Sequence, residues 1–485
     1  MAGLVKAHAA LAERDARIGS LEERFARLEA RLMTNSGNSH VPPSKNPLHA
    51  PKRGRSSGPT GKPPGGRPGH DPHLFAPVEP ETVTQQADCE PASRCDYCLA
   101  DLADAPVVLG EDAKPFFLLD LPKLALDVTA YRRTRRACCH CRRHTVSPLP
   151  AGVGPSPFGP GLQALFATLT IRYRLSRRQV AALVAELFGR HISPAAIQSA
   201  LEATSDAVAG TVTELAAAIE QAPVANADET GWRDQSGFAA GKRCWLWTAT
   251  TPIGTVYAIA PDRGIAGSLK VLGPKFAGVV GCDRWAPYRS RFRHRRQLCW
   301  AHLAREATGA QDRGTILAKT KHAGLVGRGE QLNEWGQRFE ALTDQLFAHW
   351  HAFRQGELDR PGLGQALCPI RLGFAQLVQG GTRALDKKLA ATCRDVSRQF
   401  SSLWTFLIHA GVEPTNNVAE RELRGAVIAR GLMLSTKSEA GRLLFTRLLS
   451  VSATCKKQSR DFLAFIMNAL ERRAQGLSPP SLVPT

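Results

Sequence analysis

The chain has 485 residues, enough for about three domains of roughly 150 residues each. Hydrophobic residues make up 43% of it, which marks a globular protein with a sizeable core. Lysine and arginine outnumber aspartate and glutamate by 63 to 43, and the net charge of +20 favours a polyanionic partner such as nucleic acid.

No run approaches the roughly 18 apolar residues of a membrane span, and "MAGLVKAHAALAERDARIG" is too charged for a secretory signal. A cytoplasmic protein with no membrane partner is expected. Its twelve cysteines then sit in a reducing compartment, where spaced pairs read better as metal sites than as disulfides.

Residues 1–33 read as a coiled coil. Leu4, Leu11, Ile18, Phe25 and Leu32 recur every seventh residue, with Leu21 and Leu28 at the intervening positions. Arg14 interrupts the pattern, so a helix docked on its own protein is the alternative to self-association into a homo-oligomer. Residues 34–80 form a basic Pro/Gly-rich linker. Its first part, residues 34–70, holds eight prolines, seven glycines, six basic residues and no acid, a composition that cannot fold alone but can lie along phosphates.

Residues 81–150 read as a zinc-binding module. "CDYC" places Cys95 and Cys98, and "CCHC" places Cys138 and Cys141, so two C-x-x-C knuckles could give four thiolates to one structural Zn2+. Strand-like "PFFLLDLPKLALDVTAYRR" fills the gap and could bring the knuckles together as adjacent hairpin turns. Cys139 and His140 are rival ligands, and six arginines flank the second knuckle. Residues 155–222 read as three helices, with Ser176 and Ser193 as N-caps and Gly189 as a terminator, and resemble a helix-turn-helix.

From residue 223 the period changes to that of strands. "PVANADET", "CWLWTATT", "TVYAIAPD" and "FAGVVGCD" read as four strands, two of them stopping at Asp228 and Asp283. A hairpin followed by a helix and a strand fits an α/β RNase H-like sheet, in which the first and fourth strands are neighbours. Adjacent carboxylates repel unless a cation neutralises them, and Mg2+ (or Mn2+) is suited to that task. Two such ions about 3.5–4 Å apart would drive in-line displacement at phosphorus.

A third carboxylate is needed, and "EPTNNVAERELR" offers Glu420 at a helix start. Asn417 and Glu420 also have capping-box spacing, so a cap that fixes the helix start could aim the acid. Arg421 and Arg424 follow on the same helix as phosphate contacts. The catalytic core is thus expected over 223–300 and, with Glu420, over 411–450; a helical insertion fills 301–410 and a helical segment spans 451–485.

"ADETGW", "GCDRWAPYR", "CWAHLARE" and "EPTNNVAERELR", in this order, resemble the blocks of the insertion sequence 66 family of bacterial DDE transposases. The likeness extends to the N-terminal coil, "NSGNSHVPPSKNP", the cysteine knuckles and "LLSVSATCKKQSRDFLAFI". It implies a Mg2+-dependent transposase with the triad Asp228, Asp283 and Glu420, flanked by Asn416, Asn417 and Arg421. It implies DNA partners, namely element terminal inverted repeats and target DNA, with accessory proteins from the same element, in a bacterial, nucleoid-associated setting. Ala304 stands where the family carries a basic residue before Arg305. Cys299 and His302 lack a second ligand pair in the sequence and read as structural or DNA-positioning. A non-catalytic DNA-binding regulator is the rival function.

Overall fold

The computed structural model describes residues 2–39, 46, 79–90, 92–106, 116–122, 124–154, 156–239, 243–433 and 435–484. The chain forms two units, one of Met1–Lys52 with Thr129–Thr485 and one of Arg53–Val128. The module expected over 81–150 is therefore divided between units. Most of the expected linker, residues 40–45 and 47–78, lies outside the described residues.

In the larger unit, α1 (Ala2–Leu32) docks by one face and exposes another. Its inner face carries Gly19 against the His322 ring and Ala26, which is buried. Glu22 accepts the backbone N–H groups of Lys321 (3.3 Å) and His322 (3.0 Å), and Glu23 pairs with Arg328 at 3.0 Å. The heptad positions point the other way, Leu4 and Phe25 being 69% and 70% exposed. Docking and an unburied apolar seam thus coexist on one helix. Past its end, residues 34–39 are not solvated linker: Asn35 and Asn38 are buried, and Asn38 Nδ2 donates to Asp312 at 2.7 Å.

β1 (Arg135–Ala137) and β2 (His144–Val146) form an antiparallel hairpin. The strand expected over "PFFLLDLPKLALDVTAYRR" is absent among the described residues 116–122 and 124–133. Phe116, Leu118 and Leu121 are 89%, 82% and 79% exposed there, so the segment has no neighbouring strand to bury its apolar side chains.

Four helices follow: α2 (Pro160–Ile171), α3 (Arg177–Phe188), α4 (Pro194–Ala207) and α5 (Ala209–Glu220). The expected caps are present. Ser176 forms a full capping box with Gln179, Ser193 accepts from Ala196 N–H, and Gly189 ends α3 at φ 64°.

β3 (Val224–Trp232), β4 (Cys244–Thr250) and β5 (Thr255–Ala260) make an antiparallel meander. After α6 (Ile265–Leu272), β6 (Val279–Cys282) pairs parallel to β3. After α7 (Ala286–Phe292), β7 (Arg296–Leu298) pairs parallel to β6, so the sheet order is β5-β4-β3-β6-β7. Alternation sorts the two faces. Trp247, Ala249, Val256 and Ala260 pack with α5, α6 and α7, whereas Leu246, Tyr257 and Ile259 pack with the helices of the opposite layer. α6 comes so close that Gly267 has no room for a Cβ beside the Trp247 ring.

Between β7 and the next core helix lie α8 (Trp300–Ala318), α9 (Ala323–Arg354), α10 (Arg360–Gly381), α11 (Lys387–Arg398) and α12 (Thr405–Ile408). They enclose their own core around Trp300, Phe339, Phe374 and Trp404. The chain returns to the sheet with α13 (Asn417–Met433) and ends with α14 (Glu439–Lys457) and α15 (Phe462–Ala474). The boundary expected at 450/451 falls inside α14, a single helix whose Leu444, Leu448, Val451 and Cys455 share one buried face.

Candidate active site

β3 does not stop at Asp228, as its acidic end suggested; it runs on to Trp232. β6 pairs with the first residues of β3, Val224 to Asn226, and β4 with Asn226 to Trp232, so the two pairings overlap at Asn226 alone. Pairing with β6 ends at Asn226–Gly281, whereas pairing with β4 continues to Trp232. The sheet is therefore open beside β3 where β6 ends. Two residues further along the same register stand Asp228 on β3 and Asp283 after β6, each in phase with the face that carries Asn226 and Gly281.

α13 covers that face. At its start Asn416, 1% exposed, donates through Nδ2 to Ala227 O (2.8 Å) and accepts from Asn226 Nδ2 (2.8 Å). Its own N–H donates to Cys299 Sγ at 3.1 Å. Gly281, opposite Asn226, has no room for a Cβ, which would meet the Asn226 amide. At the other end Arg430 donates to Thr230 Oγ1 (3.4 Å) and to Gly231 O. The helix thus tracks β3 from Asn226 to Gly231, and Glu420, one turn past Asn416, comes level with Asp228.

The capping box is not formed. Asn416 O takes the first helical bond, from Glu420 N–H at 3.2 Å, which places Asn417 inside the helix. Asn417 is exposed, and the Glu420 carboxylate bonds to Arg305. The buried bracket at Asn416, not a cap at Asn417, sets the helix start.

The electrostatics follow from four carboxylates gathered at one place. Burial pushes the Asp228 carboxyl well above its ordinary range, and Glu229, Asp283 and Glu420 add to that. Burial and then Asp283 raise Glu229 to about 7, against the opposing pull of Arg263 and Tyr288. Two guanidinium groups reach in. Arg263 Nη2 lies 2.7 Å from Glu229 Oε1 and 3.5 Å from Asp283 Oδ2, and Arg305 Nη2 lies 2.7 Å from Glu420 Oε1. Asp283 Oδ1 is held by Trp285 N–H at 2.8 Å.

The sequence pattern of the Transposase IS66 family matches residues 155–442, more than half of the chain, and contains all three acids. This chain belongs to that family. It is also similar to an uncharacterized protein, y4qI, of Sinorhizobium fredii (strain NBRC 101917 / NGR234), with 22% identity over 269 residues. That match covers 50% of this chain and 46% of the relative, so the chain spans about half the length of the curated relative it matches.

Around the three acids this IS66-family chain holds residues that sequence reading missed. Glu229, whose side chain is fully buried, takes Tyr288 Oη–H at 2.7 Å and Arg263 Nε–H at 2.7 Å. Arg263 lies over the rings of Trp285 and Trp245, 4.1 and 4.9 Å from their centroids. Glu229 was legible as the acid beside Asp228, but period-2 alternation turns it to the opposite face. Nothing in the sequence marks Arg263.

Of the expected flanking residues, His302 comes within 3.5 Å of Glu420 Oε1 through Nδ1, while Arg421 and Arg424 lie exposed on α13. Cys299, His302 and Glu420 bring potential ligand atoms within 4.8 Å of one another, the third ligand that the sequence did not reveal. The donor set is poor for a thiolate site: burial pushes the Cys299 thiol up to about 11, and Arg305 already neutralises Glu420. The basic run "RSRFRHRR" is mostly exposed, but several of its arginines are tied to the protein. Arg289 reaches Asp395, Arg291 reaches Ser268 and Gly273 O, Arg295 reaches Ala277 O, and Arg296 is 3% exposed. Arg284, beside Asp283, ties that loop to the insertion through Glu306 and through Asp395 at 3.1 Å.

The two cysteine pairs occur in turns of one design, each within its own unit. Leu99 N–H bonds to Cys95 O and Cys95 N–H to Ala100 O, both at 2.9 Å. Arg142 N–H bonds to Cys138 O at 2.9 Å and Cys138 N–H to Arg143 O at 2.8 Å. Leu99 and Arg142 both take positive φ, 62° and 56°. The backbone N–H groups of Cys98 and Tyr97, and then the Cys98 thiol, hold the Cys95 thiol below its ordinary range. Those of Cys141 and His140, and then the Cys141 thiol, do the same for Cys138. No described helix is long and apolar enough to cross a membrane.

Proposed function

We propose that this chain is a DNA transposase with a DDE active site on an RNase H-like core, with Asp228, Asp283 and Glu420 as its metal ligands. The observation that carries the reading is the crowding of these acids at the open edge between β3 and β6, where burial and mutual repulsion raise the Asp228 carboxyl. The strand order, a three-strand antiparallel meander followed by two parallel strands, supports the core assignment. Such a donor set fits hard divalent cations, Mg2+ or Mn2+. When bound, the metal activates the attacking oxygen and stabilises the leaving oxygen at phosphorus.

The chain's own groups supply the rest. Asn416 fixes Glu420 against β3, and Trp285 N–H orients Asp283. Arg263 and Arg305 neutralise the acids in the metal-free protein, and Arg421 stands beside Glu420 for a phosphate oxygen. DNA is the substrate, as element ends and target, and the apolar seam of α1 is suited to a homo-oligomer. The test is nicking and joining of DNA that carries the gene's own flanks. Products bearing 3′-hydroxyl ends should appear with Mg2+ and vanish with chelator. DNA binding without cleavage under either metal would leave a non-catalytic regulator.

The proposal includes structural Zn2+ at Cys95, Cys98, Cys138 and Cys141, supported by the two like turns and by the lowered Cys95 and Cys138 thiols. Purified protein is expected to hold about one tightly bound Zn2+ per chain, and Cys98→Ser to release it. Metal-free protein of undiminished stability would remove the site.

A further inference from the structure

α2 ends in an unusual way. Leu175 N–H bonds back to Leu169 O at 3.1 Å, and the residue between the helix and that bond, Arg174, takes a left-handed φ of 63°. Glycine fills the equivalent position after α3, where Gly189 has φ 64°. A branched cation at a glycine position carries a conformational cost, so the side chain invites a functional explanation.

Its guanidinium lies against the catalytic helix. Arg174 Nη2 is 3.6 Å from where a Cβ on Gly425 would sit, and Gly425 follows Arg424 and lies one turn beyond Arg421. Arg421 and Arg424 are exposed, and none of the three arginines forms an ion pair or side-chain hydrogen bond with another described residue. The nearby acids have other partners: Glu420 pairs with Arg305, and Glu422 with Lys457 at 3.6 Å. Beside Arg174, Tyr173 is 66% exposed. Three cations on one face without a counter-ion, next to an exposed ring, form a surface that a polyanion with stackable bases would complete.

We propose that Tyr173 and Arg174, on the α2–α3 turn, act with Arg421 and Arg424 as a clamp on the DNA strand entering the active site. The arginines hold its phosphates, and Tyr173 stacks on an unpaired base. This rests on the transposase reading only in taking DNA as the substrate, and its test uses binding instead of cleavage.

Full-length chain would be titrated by fluorescence anisotropy against a labelled blunt duplex and against the same duplex with an unpaired end, over a range of salt. Arg174→Gln should reduce the slope of log K against log salt by about 0.9, the loss of one phosphate contact. Arg174→Gly should bind as poorly while melting no lower than wild type, because it relieves the left-handed residue. Tyr173→Ala should weaken binding to the unpaired-end duplex by about tenfold, leave the blunt duplex unchanged, and be rescued by Tyr173→Phe. If the wild type binds DNA but Arg174→Gln keeps the full slope, the clamp is overturned and the transposase reading stands. A wild type that binds neither duplex removes both.

Discussion

Glu420→Gln is expected to lose strand cleavage and joining by about 10³-fold or more, on the order of 4 kcal/mol of transition-state stabilisation, while the protein stays folded. The size of the loss follows from the proposed role of Glu420 as a metal ligand, which the neutral amide replaces poorly. Folding should tolerate the change for a reason visible in the site. Glu420 is one of three carboxylates that push Asp228 up, so removing its charge relieves repulsion. The lost partner, Arg305, sits in a half-exposed pair worth about 0–1 kcal/mol.

Melting should therefore shift by no more than about 1–2 °C, since an unfolding entropy of roughly 2.1 cal/mol/K per residue makes 1 kcal/mol worth about 1 °C in a chain this long. Asp228→Asn should melt higher than wild type without metal. Its folded carboxyl is raised, so the stability it contributes is present below the unfolded pKa and lost as pH rises through the folded one. Added Mg2+ should raise the melting point of wild type and leave these variants unmoved, since only wild type keeps the full ligand set. Robust cleavage by Glu420→Gln would refute the triad whatever the melting data.

The legible parts of this fold were those fixed by local chemistry. Ser176, Gly189 and Ser193 cap helices because their side chains or backbone freedom satisfy helix ends within a few residues. β4 and β5 announce themselves because both faces of the sheet are covered and the strands are rich in apolar, aromatic and β-branched residues. The acids Asp228 and Asp283 were legible as residues following apolar runs. The misreadings share one cause, a partner distant in sequence. "ETGW" continues β3 because β4 pairs with it and because Arg263 and Tyr288 satisfy the buried Glu229. Residues 34–39 settle on the protein because Asp312 and the Gly309 surface receive Asn38. Arg291 and Arg295 are tied down by the carbonyls of Gly273 and Ala277, which cannot be placed from sequence.

The paired asparagines of "TNNVAER" give the sharpest separation between what spacing suggested and what packing does. Asn416→Ala should cost about 2–4 kcal/mol, because it strands the buried Ala227 carbonyl and takes the partner from the half-buried Asn226 amide. It should also lower cleavage by about 100-fold even in protein that remains folded, since the bracket that sets α13 against β3 also sets Glu420 against Asp228. Asn416→Asp should be worse than alanine in both respects. It keeps an acceptor for Asn226 but cannot donate to Ala227 O, and it adds a further carboxylate to a crowd that already raises Asp228. Asn417→Ala, at an exposed position inside the helix, should stay within about 0.5 kcal/mol of wild type with nearly normal cleavage. Denaturant unfolding of the three variants decides the matter. A capping box at Asn417 would instead cost about 1 kcal/mol on its removal, and equal losses at the two positions would return the helix start to the cap.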